Sequence, residues 1–269
     1  MTTSSTSRSS CADRHSGRRP RSSARRTVIA CDLGGARAWF TDRSGGVSIP
    51  PFDSANLADH VGDDPGRVAE NRRLVAARLA AADRGVPGDP TTWQWLHQVH
   101  GRDIVSSDLA VTAPTTGDGA VTERVGRPLV VMTADCAPLV LAAEGVVAVV
   151  HAGWPGLESG VIEAGVDSLR ARTRAPVRAL LGPCVHPARY EFGPDLLDRL
   201  VDRLGPVVAA RTATGEPALD IPAGVRAALE RAGVSRFDDV GVCTAASSDY
   251  FSHRRDGTTG RQAVVAVRA

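Results

Sequence analysis

Leu129-Val130-Val131-Met132, Leu139-Val140-Leu141-Ala142 and Val146-Val147-Ala148-Val149-Val150 follow one another within 22 residues of chain. Each run is short, free of charge and rich in β-branched side chains, the composition of a strand buried on both faces. Asp135-Cys136 and Glu144-Gly145 interrupt them, so three adjacent core strands are expected. On the N-terminal side, Ala38-Trp39-Phe40-Thr41 reads as a strand and Asp42-Arg43-Ser44-Gly45-Gly46 as a turn. Asp64 offers an N-cap with Pro65 at the first helical position, and Val68, Val75 and Leu79 keep helical spacing to about Ala80. On the C-terminal side a helix opens at Gly156, with Ile162, Val166 and Leu169 on one stripe, and ends before Pro176. A strand over 177–181, helices over 195–204 and 222–232, and strands over 240–243 and 263–267 complete the pattern. The class is α/β in the broad sense, an α+β mixture without a regular βαβ beat. Neither G-x-G-x-x-G nor a P-loop occurs, and no internal repeat is found.

Length and composition set the outer bounds. At 269 residues, 42% hydrophobic and 23% charged, the chain can bury one large core. No apolar run approaches the roughly 20 residues of a membrane helix, so no membrane association is expected. The net charge of +2 is misleading. Residues 1–26 hold seven Arg and one Asp, leaving residues 27–269 with 25 basic and 29 acidic side chains. An acidic body disfavours nucleic acid as a partner. The tail, rich in Ser, Thr, Arg, Gly and Pro without apolar periodicity, is expected to be disordered over 1–26. Val28-Ile29-Ala30-Cys31 after Arg25-Arg26 faintly resembles a lipoprotein cleavage box, but its four-residue apolar run is short of the roughly 7–15 a secretory core needs. A transit peptide would need an amphipathic face that the tail lacks, so a dispensable tail is the expectation. Five scattered cysteines imply no disulfide framework and a reducing, cytoplasmic compartment.

Three residues stand at or just past expected strand ends: His100 in Gln98-Val99-His100-Gly101, Cys136 in Thr133-Ala134-Asp135-Cys136, and His151 in His151-Ala152-Gly153-Trp154. They lie 36 and 15 residues apart, so no short-spaced metal motif contains them. Two imidazoles and a thiolate suit Zn²⁺ with an open fourth position, the pattern of a catalytic zinc. The residues alone leave the plainer alternative open: satisfied structural histidines and a cysteine acting as a small hydrophobe. Cys184 and His186, two apart on an extended segment, form a weaker second metal candidate. His97 lies an odd number of residues from His100 and is expected to be peripheral.

Those segments recur with others in one order from about Ala38 to the C-terminus. They are Thr41-Asp42-Arg43-Ser44-Gly45-Gly46-Val47-Ser48, Val61-Gly62-Asp63-Asp64-Pro65, Glu70-Asn71-Arg72, Asp118, Tyr190-Glu191, Cys243-Thr244, Phe251-Ser252-His253-Arg254-Arg255 and Thr259-Gly260-Arg261-Gln262. Together with the three above, they resemble the laccase-domain family, also called the multicopper polyphenol oxidase family. Its members are regarded as purine nucleoside phosphorylases and include a peptidoglycan editing factor. The resemblance implies a single domain over 27–269 with four α/β/β/α layers and mixed sheets. It implies zinc held by His100, Cys136 and His151, and a purine nucleoside and phosphate as substrates. Adenosine deamination and methylthioadenosine phosphorolysis are implied as side activities. Two departures stand out: Pro155 takes the place of the family's Arg after H-A-G-W, and Ala188-Arg189 replaces a cysteine before Tyr190. If the missing Arg steers an anion, phosphate affinity is weakened or activity is lost.

Phosphorolysis needs a site that holds a dianion, stabilises an oxocarbenium-like sugar and assists the departing base. Planar guanidinium groups fit phosphate oxygens, and Arg43, Arg254, Arg255 and Arg261 in the matching segments are the candidates. Asp118 and Asp135 are read as acid/base groups or as carboxylates that orient the metal ligands. Deamination would use another ligand set from the familiar base deaminases, since neither H-x-E nor P-C-x-x-C is present.

Three rival readings remain. A trinuclear copper oxidase would consume about eight histidines in H-x-H pairs, whereas the chain has seven in all and no such pair, so Cu²⁺ enters only as an adventitious or alternative metal at the His₂Cys site. Cys136 could serve instead as the nucleophile of a hydrolase acting on peptidoglycan precursors, which retained zinc would oppose because coordination consumes the thiolate. A non-enzymatic nucleoside-binding protein is the third. The sequence does not give the oligomeric state.

Overall fold

The computed structural model describes residues 28–108 and 114–269. The Arg/Ser-rich tail expected over 1–26 lies outside the described residues. In chain order, β1 (Ile29–Asp32) and β2 (Ala36–Phe40) precede α1 (Pro65–Ala82), β3 (Leu96–His97), β4 (Ile104–Ser106), β5 (Thr115–Thr116) and β6 (Gly119–Thr122). The central run is β7 (Leu129–Thr133), β8 (Ala137–Ala143) and β9 (Val146–Ala152). Then come α2 (Trp154–Ser159), α3 (Val161–Arg170), β10 (Arg178–Leu181), α4 (Pro194–Leu204), β11 (Ala209–Arg211), β12 (Pro217–Leu219) and α5 (Ile221–Arg231). β13 (Arg236–Asp239), the single turn α6 (His253–Asp256) and β14 (Gln262–Arg268) close the chain.

The fold is mixed α/β. One sheet has the order β1-β2-β14-β7 and the other β13-β10-β8-β9-β6-β4, with two-stranded ribbons β11-β12 and β3-β5 beside them. The three uncharged runs become β7, β8 and β9, and their period-two alternation divides the core. Val147 and Val149 face the space between the sheets, against Val131, Val264 and Phe40. Val146, Ala148 and Val150 face the other way, against Ile162, Val166, Leu200 and Val225 of the helices α3, α4 and α5. On the outer face of the four-stranded sheet, Val130, Met132 and Val265 meet Val75 and Leu79 of α1. Helix, sheet, sheet and helices therefore succeed one another through three apolar cores.

Several local expectations hold with a physical cause. Asp64 caps α1, accepting the Arg67 N–H at 2.9 Å, and Pro65 opens it. Others need correction. The helix expected from Gly156 starts at Trp154 and breaks at Gly160, whose φ of +87° ends α2 before α3 begins. The strand expected over 240–243 lies earlier, as β13, an exposed edge strand whose Arg-Phe-Asp-Asp composition gives no apolar signal. The expectation of mixed sheets fits only the six-stranded sheet, where β10–β13 and β4–β6 are parallel. The four-stranded sheet is antiparallel throughout, because its β2–β14 and β14–β7 pairs link distant segments of opposite direction. Cys31 is disulfide-bonded where no bridge is expected, while Cys136, Cys184 and Cys243 are free. Among the described residues no helix is long and apolar enough to cross a membrane.

Candidate metal centre

Hairpin register brings two of the three candidate ligands together. β8 and β9 pair antiparallel with Ala137 opposite Ala152 and Pro138 opposite His151, turning at Glu144-Gly145. Cys136, one residue before β8, therefore lies against the His151–Gly153 end of β9. The third ligand arrives through Asp118. β6 pairs with β9, and the His151 N–H donates to the Asp118 carbonyl at 2.7 Å. The Asp118 carboxylate, wholly buried, accepts the backbone N–H groups of Val99, His100 and Gly101 at 3.2, 2.9 and 2.6 Å. That fixes the loop after β3 with His100 over the hairpin end. Gln98 anchors the same loop to β7, donating to the Met132 carbonyl and accepting its N–H, each at 2.8 Å.

One donor atom from each of His100, Cys136 and His151 lies within 4.8 Å of the others, and this is the one such His/Cys/acid group among the described residues. Cys136 Sγ and His100 Nε2 are 3.7 Å apart. Bonds of about 2.3 Å to sulfur and 2.05 Å to nitrogen at a tetrahedral angle would separate the two by about 3.6 Å, so the spacing suits one shared zinc-like ion. The donor set fits as well: His151 turns Nδ1 to Asp118 Oδ1 at 2.8 Å, leaving Nε2 as its metal-facing nitrogen. His100 is exposed to a cleft, so a fourth position stays open. Gly153 completes the cradle, because a Cβ there would meet His100 Cδ2 at 2.7 Å and Cys136 Sγ at 3.1 Å.

Strain and charge both concentrate here. His100 (φ 58°) and Asp135 (φ 97°) are the two non-glycine residues of positive φ among the described residues. Such backbones cost of order 1–3 kcal/mol each and persist where the surroundings over-determine them. Asp118 holds the first. Asp135 is held by Thr244, whose hydroxyl donates to Oδ1 at 2.6 Å, and by the Arg254 N–H, which donates to Oδ2 at 2.6 Å. Burial alone would raise the Cys136 thiol, but the charge of His151 and hydrogen bonding with His100 and His151 carry its pKa down to about 6. Burial would likewise lower His151, yet the Cys136 charge and the Asp118 hydrogen bond lift it to about 9. Free of metal, the two make a thiolate–imidazolium pair at neutral pH. Burial also works against Asp118, and the His151 hydrogen bond and charge with the Gly101 and Val99 N–H groups outweigh it, holding its pKa below the usual carboxylate value.

Two clefts open from this centre. The larger, about 490 Å³, has an aromatic and apolar wall of Trp154, Tyr190, Val185 and Ile221 facing Arg254. The Arg254 guanidinium lies 4.8 Å from the Tyr190 ring centroid, and burial pushes the Tyr190 hydroxyl up to about 12. The smaller, about 270 Å³, is lined by His60, Gln98, Met132, His151 and Arg261. His100, Ala134, Cys136 and His253 line both. A third cleft of about 430 Å³, between α1 and the stacked Trp93 and Trp95, holds no metal ligand; its Arg72 stacks on Trp95 and pairs with Asp59.

The candidate residues from the sequence divide accordingly. His100, Cys136, His151, Asp118 and Asp135 come together, and Arg254 and Arg261 line the clefts. Arg43 does not: it pairs with Asp53 and Asp256 and stacks on Phe251 at 4.7 Å. Arg255 does not either, since its guanidinium donates to the carbonyls of Thr244, Ser247 and Tyr250 and pairs with Asp256. Both arginines secure loop backbone. Cys184 and His186 form no metal group: Cys184 is buried, its free thiol in the core and its backbone paired in parallel with that of Cys243, whose sulfur accepts the His186 backbone N–H. Pro155 is the second residue of α2 and lines neither cleft. Sequence reasoning passes over Gly153, Tyr190 and His253, though all three stand in the matching segments, and over His60, which carries no motif at all.

A family model described as multi-copper polyphenol oxidoreductase laccase matches residues 37–269. A Streptomyces coelicolor protein named as a purine nucleoside phosphorylase is 43% identical over 237 residues, 86% of this chain and 95% of its own. A Mycobacterium tuberculosis protein with the same name is 44% identical, over 84% of this chain and 89% of its own. The crystal structure of the Bacillus licheniformis hypothetical protein YfiH superposes with a TM-score of 0.78 at 28% identity, covering 87% of this chain and 93% of that one. With its fold, its matching segments and these likenesses, the chain belongs to the multi-copper polyphenol oxidoreductase laccase family, the family of YfiH.

Proposed function

We propose that the protein is a zinc-dependent purine nucleoside phosphorylase, converting adenosine, inosine or guanosine and phosphate to free base and ribose 1-phosphate. The observation that carries the reading is the pair of clefts meeting at His100 and Cys136, one walled by Trp154 and Tyr190 and the other holding Arg261, in a chain whose relatives bear that name. A planar base suits the larger cleft, stacked against Tyr190 and Trp154. A phosphate dianion suits the smaller one, where Arg261 supplies a positive charge. Its Nη1 donates to the Thr259 and Gly260 carbonyls at 2.9 and 3.0 Å, and among the described residues no bond engages Nη2 or Nε. Arg254, held by Asp135, borders the larger cleft close to the junction and faces whichever phosphate oxygens or sugar hydroxyls reach it.

His100, Cys136 and His151 would hold the zinc. When bound, it supplies positive charge and Lewis acidity at the junction of the clefts. The protein's own share is placement. Asp118 fixes the two histidines, Asp135 fixes the Arg254 turn, and the aromatic wall excludes water from the base side. Holding phosphate and sugar in line converts an encounter of two solutes into a reaction within one complex, an effect worth several kcal/mol. Deamination of adenosine has no separate observation behind it. The ³¹P spectrum of inorganic phosphate with inosine and the purified protein tests the reading. Growth of a sugar phosphomonoester signal supports it, and an unchanged phosphate signal opposes it.

A further inference from the structure

Phosphorolysis moves one proton as well as one sugar. Hydrogen phosphate enters with a proton that ribose 1-phosphate does not keep, and the departing purine must gain one. A group that reaches both substrates can carry that proton from one to the other. The relay must satisfy two conditions: it must face both clefts, and it must present a single nitrogen or oxygen that both gives and takes a proton.

His253 meets both conditions. It lines the large cleft beside Tyr190 and Arg254 and the small cleft beside His60 and Arg261. Its Nδ1 lies 2.8 Å from the Gly257 carbonyl, an acceptor only, so Nδ1 carries the proton and Nε2 is the working nitrogen. The backbone that carries the ring is also anchored. His253 opens the one-turn α6, capped by Ser252, whose hydroxyl oxygen accepts the Arg255 N–H, and the next residue donates its N–H to Asp135. His100 and Cys136 also line both clefts, but they are committed to the metal centre, and Ala134 has no ionisable group.

We infer that His253 is a catalytic residue that relays the proton from phosphate to the leaving purine, an inference that rests on the phosphorylase reading. Its imidazolium form donates from Nε2 to N7 of the purine as the bond from the anomeric carbon to N9 breaks and the N9 electron pair spreads into the ring. A phosphate oxygen forms the new bond to the anomeric carbon. The proton left on the phosphoryl group then passes to Nε2, restoring the imidazolium. Nδ1 stays bonded to Gly257 throughout, and no oxidant or further reactant is required.

The test uses the zinc-loaded full-length protein, with inosine compared against 7-methylinosine, whose base leaves without taking a proton. His253→Asn keeps an N–H donor for the Gly257 carbonyl and removes only the Nε2 function. The expected result is a fall in kcat on inosine of about 10²–10⁴-fold, with 7-methylinosine turned over within a few-fold of the original protein. An equal loss on both nucleosides, or no loss on inosine, overturns the relay. If His253→Asn does not accumulate as folded, zinc-bearing protein, His253→Gln makes the same comparison with the same criteria. If the unsubstituted protein releases no base from either nucleoside in the presence of phosphate, the phosphorylase reading itself falls and the relay falls with it.

Discussion

The Asp118 carboxylate binds the His151 ring at 2.8 Å and, with the same two oxygens, the backbone N–H groups that shape the His100 loop. One buried acid thus sets the position of two candidate ligands from different elements. The same arrangement explains why residues 36 positions apart in the chain, such as His100 and Cys136, reach a common point.

Asp118→Asn removes one acceptor oxygen and sets an NH₂ against backbone donors. Zinc affinity is expected to fall 10–100-fold through the loosened histidines. Stability should drop by roughly 3–5 kcal/mol, as when one partner of a buried charged network is lost. Competitive zinc titration and urea unfolding measure the two effects. Undiminished zinc affinity would show that the carboxylate does not position the ligands.

Gly153→Ala keeps an allowed backbone, since φ is −75°, but drives a methyl group into the His100 ring at 2.7 Å. The expected cost to folding is about 1–3 kcal/mol, the range for overpacking. Zinc content should fall more sharply than the unfolding midpoint, and metal analysis beside a thermal melt reads both.

In metal-stripped protein, Cys136 should react with iodoacetamide along a titration curve centred near pH 6, well below an ordinary thiol. The sign follows from the depressed pKa: the thiolate's contribution to stability is present above the ordinary thiol value and is lost as pH falls through about 6. His151 works in the opposite sense, its contribution present below the ordinary imidazole value and lost as pH rises through about 9. Zinc should protect Cys136 from alkylation. A curve centred near pH 8.5 would remove the thiolate–imidazolium pair.

Arg255 and Arg261 should separate structure from binding. Arg255→Ala strips three loop carbonyls of their donor and is expected to cost roughly 2–4 kcal/mol of stability. Arg261→Ala should instead raise the KM for phosphate about 10–100-fold with a smaller loss of stability. The reverse pattern would move the phosphate site away from the smaller cleft.

The parts of the fold legible in the sequence are those whose burial is periodic or complete. β7, β8 and β9 announce themselves by uninterrupted apolar runs, and α1 by Asp64-Pro65 and the Val68–Leu79 stripe. β6 and β13 do not. Gly119-Ala120-Val121-Thr122 is buried, but too short and small-chained to stand out, and Arg236–Asp239 is an edge strand facing water. The metal trio is illegible as spacing because hairpin register and a side-chain carboxylate assemble it, not a local motif. Among the four candidate arginines, only Arg254 and Arg261 reach the two clefts at the metal centre, Arg261 while also donating to the Thr259 and Gly260 carbonyls; sequence proximity to a motif does not say which guanidinium borders a cleft.

The most direct measurement is chromatographic release of hypoxanthine from inosine and adenine from adenosine, with and without phosphate, before and after treatment with a chelator. The expected result is free base only when phosphate is present, lost on chelation and restored by zinc. A zinc-bearing protein that releases no base with phosphate, or base release that survives complete removal of the metal, would contradict a zinc-dependent phosphorylase built on His100, Cys136 and His151.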